Sequence, residues 1–204
     1  MVSFRPRCFL GDAPAATQAL AAALAGRLAP GCLLRLEGNL GVAKTTFVQG
    51  LARGLGVKGP VQSPTFTLVR QHTGTGAVGL AHMDLYRLAG AAETRDLGLD
   101  AYLDGDAVLA VEWPDRAGEA LPALGLVVSM TLAADEAPVG GTGPAPRSRE
   151  TIADAAPEPP RLIRIRALDP LAEDALAGLA LPEMPGLREV PCPPAAGDKA
   201  EIRP

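Results

Sequence analysis

Several features that would place this chain of 204 residues in a specialised class of protein are missing from its sequence. No apolar run approaches the ~18 residues that a membrane-spanning helix needs, and the N-terminus lacks the charged-then-apolar pattern of a signal peptide. The three cysteines (Cys8, Cys32 and Cys192) are odd in number and widely spaced, so neither a zinc site nor a disulfide framework is visible. We therefore expect a reduced, cytoplasmic protein without a membrane segment.

Aromatic residues and clustered positive charges are also scarce. Phe, Trp and Tyr make up only 3% of the chain, which leaves the core to Leu, Val and Ala, although the hydrophobic fraction of 48% predicts a folded domain. The formal net charge is −4, and no run of Lys or Arg stands out. Because neutralising phosphate charge dominates the affinity for nucleic acids, we do not expect this chain to bind RNA or DNA unaided.

What the sequence does contain is a stretch around which the chain is organised, residues 33–56. An apolar run stops at Gly38, a short loop leads to Lys44, Thr45 and Thr46, and apolar residues then recur at helical spacing. The order strand, loop, helix is the context in which a phosphate-binding loop is credible. The alternative is a glycine-bearing turn with a solvated lysine, and the presence of every part together favours phosphate binding.

The chemistry of a triphosphate explains why these residue types matter. Backbone N–H groups at a helix N-terminus favour negative charge, a lysine can span the outer phosphates, and a hydroxyl such as that of Thr45 can ligate Mg²⁺. The spacing from Gly38 to Lys44 fits G-x-x-x-x-G-K-[ST] except that Ala43 replaces the second glycine. A Cβ atom there points toward the phosphates and can strain the turn, which leaves the affinity for a phosphate ligand open.

Two apolar segments end in an acidic residue. Residues 78–84 end in Asp84, and residues 107–112 form a continuous apolar run that ends in Glu112. Ligands of open α/β sheets bind beyond the carboxyl ends of the strands, where such acids can hold Mg²⁺ or polarise a water. Each acid alone could be a solvated or ion-paired carboxylate; both in one chain favour a function.

For several other residues near these motifs, the sequence allows either a role at the site or a purely structural role. Thr65 could face a terminal phosphate or cap a turn, and Trp113 could wall the site or anchor the core. His82 has no second His or Cys nearby, which favours a packed or hydrogen-bonded strand histidine over a metal ligand. Tyr86 and Arg87 could close over the site, or be a core tyrosine and an ion-paired arginine.

The remaining segments predict an α/β fold. We predict a short edge strand at 7–10 and a helix at 13–28 that is capped by Asp12. A strand follows at 66–69 and a short helix at 93–99. Two further strands, at 126–132 and 161–166, are predicted to pair antiparallel at a sheet edge. We expect a P-loop NTPase-like, mostly parallel sheet flanked by helices, with antiparallel edge strands.

We divide the chain accordingly. Residues 1–133 with 161–168 form the P-loop ATPase domain, 134–160 form a mobile loop rich in Pro and Gly, 169–181 can form a terminal helix, and 182–204 are a disordered tail.

Four motifs, GNLGVAKTT, SPTFTLV, HMDLYRL and VEWP, occur in this order, and together they resemble the bacterial TsaE (YjeE) family. That family comprises small P-loop ATPases of the tRNA threonylcarbamoyladenosine pathway. The resemblance runs from about residue 7 to 132 and resumes at 161–167. It excludes the proline-rich loop and the tail.

The resemblance implies a cytoplasmic α/β protein that binds ATP and Mg²⁺, hydrolyses ATP slowly, and works with the partner proteins TsaD and TsaB, meeting tRNA only through that complex. It implies the following residue roles. Gly41, Val42, Ala43, Lys44, Thr45 and Thr46 would wrap the phosphates, Thr65 would lie in a switch-like loop, Trp113 would line the site, and Thr45, Asp84 and Glu112 would serve metal and water.

Three functions therefore compete. The chain is an active ATPase with Lys44, Asp84 and Glu112 as its catalytic residues, a subunit of the same complex whose nucleotide use Ala43 has impaired, or a P-loop kinase of small molecules. No Arg-rich lid segment or acceptor pocket is apparent for a kinase. The active ATPase is the function that we carry forward.

Overall fold

We analysed a computed structural model, in which residues 4–76, 78–136 and 158–193 are described. The strands are β1 Arg7–Gly11, β2 Leu33–Glu37, β3 Val69–His72, β4 Gly79–Asp84, β5 Ala107–Glu112, β6 Leu126–Leu132, β7 Arg161–Ala167 and β8 Leu187–Val190. The helices are α1 Pro14–Ala25, α2 Lys44–Gly54, α3 Ala91–Arg95, α4 Leu99–Leu103 and α5 Pro170–Ala177, with 3-10 helices at Pro114–Ala120 and Ala133–Glu136.

The strands form one sheet in the order β3-β4-β5-β2-β6-β7-β1-β8. The four strands β4, β5, β2 and β6 are parallel, while β3 on one side and β7, β1 and β8 on the other add antiparallel pairs. This arrangement confirms the predicted fold class. It also brings the carboxyl ends of four parallel strands to one edge of the sheet, where ligands of such sheets bind.

Alternating strand residues enter two apolar clusters, one on each face of the sheet. In β2, Leu34 packs into the cluster with α1, α2 and α5, whereas Leu33 packs into the cluster with α4 and the 3-10 helix at Pro114–Ala120. Both leucines are fully buried, and each such side chain contributes roughly 1.5–3 kcal/mol through the area removed from water. Because β2 buries leucines on both faces of the sheet, its position is fixed, and so is the start of the loop that follows it.

The helices α1 and α2 pack unusually closely. A Cβ atom added at Gly50 would lie 2.7 Å from the Cβ of Ala21, and one added at Gly54 would lie 2.5 Å from the carbonyl oxygen of Ala22. The small residues of α2 thus meet the alanines of α1, so that the alanine-rich helix has a packing role. This contact holds α2, whose first residue is Lys44, against the sheet.

Two details at the start of the chain differ from expectation. Helix α1 begins at Pro14, and its N-cap is Ala13, without a side-chain hydrogen bond. The predicted cap, Asp12, pairs instead with Arg188 at 3.2 Å. Strand β1 is an interior strand, because β8 covers its outer side.

Near the middle of the chain, the strand predicted at 66–69 is displaced toward the C-terminus. Both Thr67 and Leu68 donate their backbone N–H groups to the carbonyl oxygen of Pro64, forming a turn, and β3 begins only at Val69. The single helix predicted at 93–99 is two short helices, α3 and α4, separated by Gly98, whose φ is +66°. The predicted strand at 126–132 and its antiparallel pairing with β7 are confirmed, although neither strand lies at a sheet edge.

The C-terminal region departs furthest from the sequence prediction. The prediction of a disordered tail from residue 182 is wrong for residues 187–190, which form the edge strand β8. The expectation that no disulfide forms is also wrong, because pairing of β8 with β1 brings Cys192 to Cys8 and the structure joins them. Most of the predicted loop, residues 137–157, lies outside the described residues. Within the described part of the chain, no helix has the length and hydropathy to cross a membrane.

We expect Gly50→Ala to destabilise the protein. The added methyl must push α1 away from α2, and overpacking of this kind costs about 1–3 kcal/mol, which outweighs the gain of up to ~1 kcal/mol in helix propensity. Thermal and denaturant unfolding measure the change in the free energy of unfolding.

The control is Gly76→Ala, because a Cβ atom at Gly76 has no neighbour within 4 Å. That variant should change the free energy of unfolding by less than about 0.5 kcal/mol. Equal stability of both variants and the parent would show that the helices can separate without cost.

Candidate functional site

The loop between β2 and α2 follows the pattern of a phosphate-binding loop in its backbone as well as its sequence. Gly38, Gly41 and Ala43 all have positive φ, at +132°, +83° and +81°. The side chain of Val42 is buried in the core at 4% exposure, so that only its backbone faces the loop interior. The anchored valine and the N-terminus of α2 fix the curvature of the loop between them.

Ala43 occupies a left-handed conformation as the N-cap of α2. This conformation costs an L-residue roughly 1–2 kcal/mol, a cost that glycine avoids. Its methyl group packs against the core while the residue also lines the cavity described below. The loop therefore has the backbone conformation that glycine would give it, although Ala43 is strained in that conformation.

Lys44 points into the loop that precedes it. Its Nζ donates hydrogen bonds to the carbonyl oxygens of Gly38 at 2.7 Å and Asn39 at 2.9 Å, and lies 3.9 Å from the centroid of the Trp113 ring. Burial lowers the pKa of Lys44, and the nearby charges of Glu112 and Asp84 oppose that shift. The ammonium group is thus held where a phosphate group in the loop would meet it.

The two strand-end acids lie side by side. Asp84 of β4 and Glu112 of β5 are direct partners in the parallel pairing, and both are buried, at 3% exposure. Glu112 Oε1 accepts a hydrogen bond from Thr45 Oγ1 at 2.8 Å and lies 2.9 Å from His82 Nε2. The hydrogen bond from Thr45 therefore links the N-terminus of α2 to the carboxyl end of β5.

Asp84 organises a second set of contacts. Its Oδ2 accepts hydrogen bonds from the hydroxyls of Ser63 and Thr65, each at 2.5 Å, and its Oδ1 accepts one from the backbone N–H of Tyr86 at 3.0 Å. Thr65 thus faces an acid of the site, whereas the sequence left open whether it faces the site or caps a turn. Ser63, which the sequence reasoning did not single out, holds the same oxygen.

A cavity of about 480 Å³ opens beside these groups. It is lined by the predicted residues Gly41, Ala43, Lys44, Thr45, Thr46, Thr65, Asp84, Glu112 and Trp113. The lining also includes Arg161 and Glu158, which form an ion pair at 2.7 Å. Sequence reasoning missed these two residues because nothing local signals that the start of β7 returns to the loop.

Leu40, Tyr86 and Trp113 line the cavity, and Phe66 follows the lining residue Thr65 in the chain. The rings of Tyr86 and Trp113 lie 5.0 Å apart between centroids, at 51°. Leu40 and Phe66 are 81% and 83% exposed, and the guanidinium of Arg87 lies over the Phe66 ring at 4.1 Å. Trp113 thus lines the site, and Arg87 contacts an exposed ring where the sequence also allowed an ion pair.

The donors at this edge are chemically suited to Mg²⁺. Thr45, Asp84 and Glu112 offer hydroxyl and carboxylate oxygens, which hard cations prefer, and Mg²⁺ is typically held by one or two carboxylates together with phosphate and water oxygens. Among the residues described, no group of three His, Cys, Asp or Glu side chains could hold a metal alone. The residues therefore fit an ion that a nucleotide brings with it, and they do not fit an all-protein metal cage.

Comparison with known proteins gives one consistent family. The model of "Threonylcarbamoyl adenosine biosynthesis protein TsaE" matches residues 12–138. A TsaE protein of Bacillus subtilis is 43% identical over 123 residues, covering 60% of this chain and 76% of that protein. One from Streptomyces coelicolor is 47% identical over 100 residues, covering 48% and 67%. The crystal structure of YdiB from Bacillus subtilis is similar over 88% of this chain and 97% of that one, with 29% identity and a TM-score of 0.66.

We expect Ala43→Gly to stabilise the protein and to tighten ATP binding. Glycine removes the left-handed strain, although its greater freedom when unfolded offsets part of the gain, so the free energy of unfolding should rise by up to about 1 kcal/mol. If the methyl crowds the phosphates, its removal should also recover about 1–3 kcal/mol of binding free energy, the cost of such packing conflicts. Thermal unfolding and calorimetric titration with ATP measure the two effects.

Gly59→Ala calibrates the strain, because Gly59 has a φ of +93° and a Cβ atom there has no neighbour within 4 Å. It should lower stability by a similar amount and leave ATP affinity unchanged. Equal ATP affinities of Ala43→Gly and the parent would mean that the loop accommodates the methyl.

Proposed function

The chain belongs to the TsaE family of tRNA threonylcarbamoyladenosine biosynthesis, and from this premise we propose that it is a slow, Mg²⁺-dependent ATPase that works with TsaD and TsaB. The observation that carries the proposal is the 2.8 Å hydrogen bond from Thr45 to Glu112, beside the buried Lys44. It joins a phosphate-binding loop to an acid at a strand end. Phosphoryl transfer asks for little else from a protein than such positioning and charge.

The loop and Lys44 supply the binding of phosphate. Lys44, Thr45 and Thr46, the first three residues of α2, all line the cavity, so the N-terminus of the helix and the lysine can act on the same ligand. Because Lys44 is 5% exposed, little water screens its charge, and an anion that replaces its bonds to Gly38 and Asn39 is well compensated. Lys44 therefore contributes to the binding of the substrate itself, and not only to stabilising the transition state.

Thr45, Asp84 and Glu112 are the residues that would hold Mg²⁺, which when bound neutralises charge on the phosphates. Of the two acids, Glu112 is the better placed to orient an attacking water, since it also contacts the head of α2 through Thr45. Asp84 ties the site to the Ser63–Thr65 segment through two short hydrogen bonds. Through these hydrogen bonds, the conformation of the Ser63–Thr65 segment would depend on whether Asp84 holds a metal.

The mouth of the site supports a role for protein partners. Leu40 in the loop and Phe66 next to Thr65 are more than four-fifths exposed, and we infer that a partner protein covers them. A partner that covers them would also exclude water from the cavity, which strengthens its electrostatics. The net charge of −4 fits contact with tRNA through the partners and not directly.

One observation favours the alternative of a subunit impaired in nucleotide use, namely the strained backbone of Ala43, a residue that lines the cavity. The loop nevertheless keeps its left-handed turn and Lys44 its place, which supports the active ATPase. Calorimetric titration with Mg²⁺ and ATP separates the two, because an impaired subunit binds weakly whatever its partners do.

Glu112→Gln should leave ATP bound while lowering its hydrolysis by ~10²-fold or more, the usual scale for a lost general base. Glutamine keeps the shape and can still accept the hydrogen bond from Thr45, but it loses the charge. The assay is ATP turnover with TsaD and TsaB present, alongside calorimetric binding.

Lys44→Ala is the contrasting variant, because it should weaken ATP binding itself. Hydrolysis by Glu112→Gln at the parent rate, with equal binding, would make Glu112 a structural strand-end acid.

Phe66→Ser should lower partner-stimulated turnover several-fold without changing the affinity for ATP, since the ring is exposed and lies outside the phosphate loop. Leu171→Ser is the matched control, because Leu171 is also exposed, at 63%, but lies on α5 at a separate cavity, beside Cys32 and Leu124. Turnover is measured across a range of TsaD and TsaB concentrations. A loss of turnover in both variants, or in neither, would contradict a partner surface at the mouth of the site.

A further inference from the structure

His82 is a buried polar residue to which the proposed reaction gives no role. It lies on β4, two residues before Asp84, and its side chain is fully buried. Its Nε2 lies 2.9 Å from Glu112 Oε1, while its Nδ1 has no hydrogen-bond partner within the described part of the chain. A histidine with one partner, and that partner an acid of the site, calls for an explanation.

The chemistry of the pair fixes the direction of the hydrogen bond. An ionised carboxylate only accepts hydrogen bonds, so Nε2 of the imidazole must carry a proton and donate it to Oε1. Thr45 donates to the same oxygen, Oε1. Two donors from different elements, β4 and α2, therefore hold one oxygen of Glu112, and neither contacts Oε2.

We propose that His82 is a positioning residue for Glu112, holding Oε1 so that Oε2 is presented to Mg²⁺ and water. The proposal rests on the proposed function of the site. A hydroxyl that ligates a metal through its lone pair can still donate its proton, so the hold on Oε1 by Thr45 and His82 is compatible with a loaded site. Hydrogen-bond donors of this kind orient metal-binding groups in other proteins.

A role in packing alone does not account for this arrangement. Neighbouring positions of β4, Leu80, Ala81 and Met83, are apolar and fully buried, and an apolar residue would fill the place of His82 without leaving a buried nitrogen unpaired. Polar groups are costly to bury without a partner. The imidazole contributes what an aliphatic side chain cannot, a donor aimed at Glu112.

Amide substitutions of His82 distinguish the hydrogen bond to Glu112 from the mere presence of a buried polar side chain. In His82→Gln the amide nitrogen takes approximately the place of Nε2 and can still donate to Glu112. In His82→Asn the shorter amide takes the place of Nδ1 and cannot reach it, although it buries the same polar group. His82→Leu removes the donor and keeps an apolar volume.

The first measurement is calorimetric binding of a non-hydrolysable ATP analogue across a series of Mg²⁺ concentrations. We expect His82→Asn and His82→Leu to need about 10–100-fold more Mg²⁺ than the parent, the usual effect of losing such a supporting hydrogen bond. His82→Gln should stay within about 3-fold of the parent. Turnover with TsaD and TsaB should follow the same order, with the loss in kcat and not in KM for ATP once Mg²⁺ is saturating.

The second measurement needs no variant to fold. The chain has two histidines, His72 and His82, so ¹⁵N NMR of the histidine-labelled protein resolves both rings. We expect Nε2 of His82 to carry a proton, which it donates to Glu112.

The outcomes are distinct. A His82 ring without a proton on Nε2, or equal behaviour of His82→Gln and His82→Leu, overturns the positioning role. Absence of Mg²⁺-dependent nucleotide binding by the parent overturns the proposed function instead, and the NMR result then still decides whether the hydrogen bond has the direction that we assign.

Discussion

The parallel pairing of β5 with its two neighbours is the constraint on which the rest of the site depends. Glu112 is the partner of Asp84 in β4 and of Leu36 in β2, one residue before the strand end from which the phosphate loop leaves. A slip of one residue would turn Glu112 into the opposite apolar cluster and break its contact with Thr45. The register itself is fixed by apolar residues on both faces of these strands. The packing of the core therefore also determines where the charged side chains of the site lie.

Given that register, the buried charges compensate one another. Lys44, Asp84 and Glu112 are each no more than 5% exposed, and isolated charges at such depth are strongly unfavourable. Lys44 is neutralised in part by the two acids, whose nearness opposes the lowering of its pKa by burial. Removing one member leaves the others unpaired, so single substitutions here report on the whole group.

The sequence predicted the parts of this arrangement that depend on local patterns. Strand β5 and the loop before α2 were visible because their residue types follow one another in the chain, and so was the antiparallel partner of β6. The contacts of Arg161 and of Cys192 were not predicted. The pairing of β7 with β6 does not by itself show that the side chain of Arg161 lines the cavity, and β8, which places Cys192, lies in the segment that was predicted to be disordered. Thr65 and His82 were visible as residues, but only the fold shows that each bonds to an acid of the site.

Backbone strain in the described residues is concentrated at this same edge. Three residues other than glycine have positive φ, namely Ala43, Leu68 and Trp113. Ala43 precedes Lys44, Trp113 follows Glu112, and the carbonyl oxygen of Leu68 accepts the backbone N–H of Asp84 at 3.0 Å. Each conformation costs of order 1–3 kcal/mol and persists only where the surroundings enforce it. Because each of the three borders a charged residue of the site, the strain is best understood as the cost of placing these charges together, offset by the packing of the sheet and of α1 against α2.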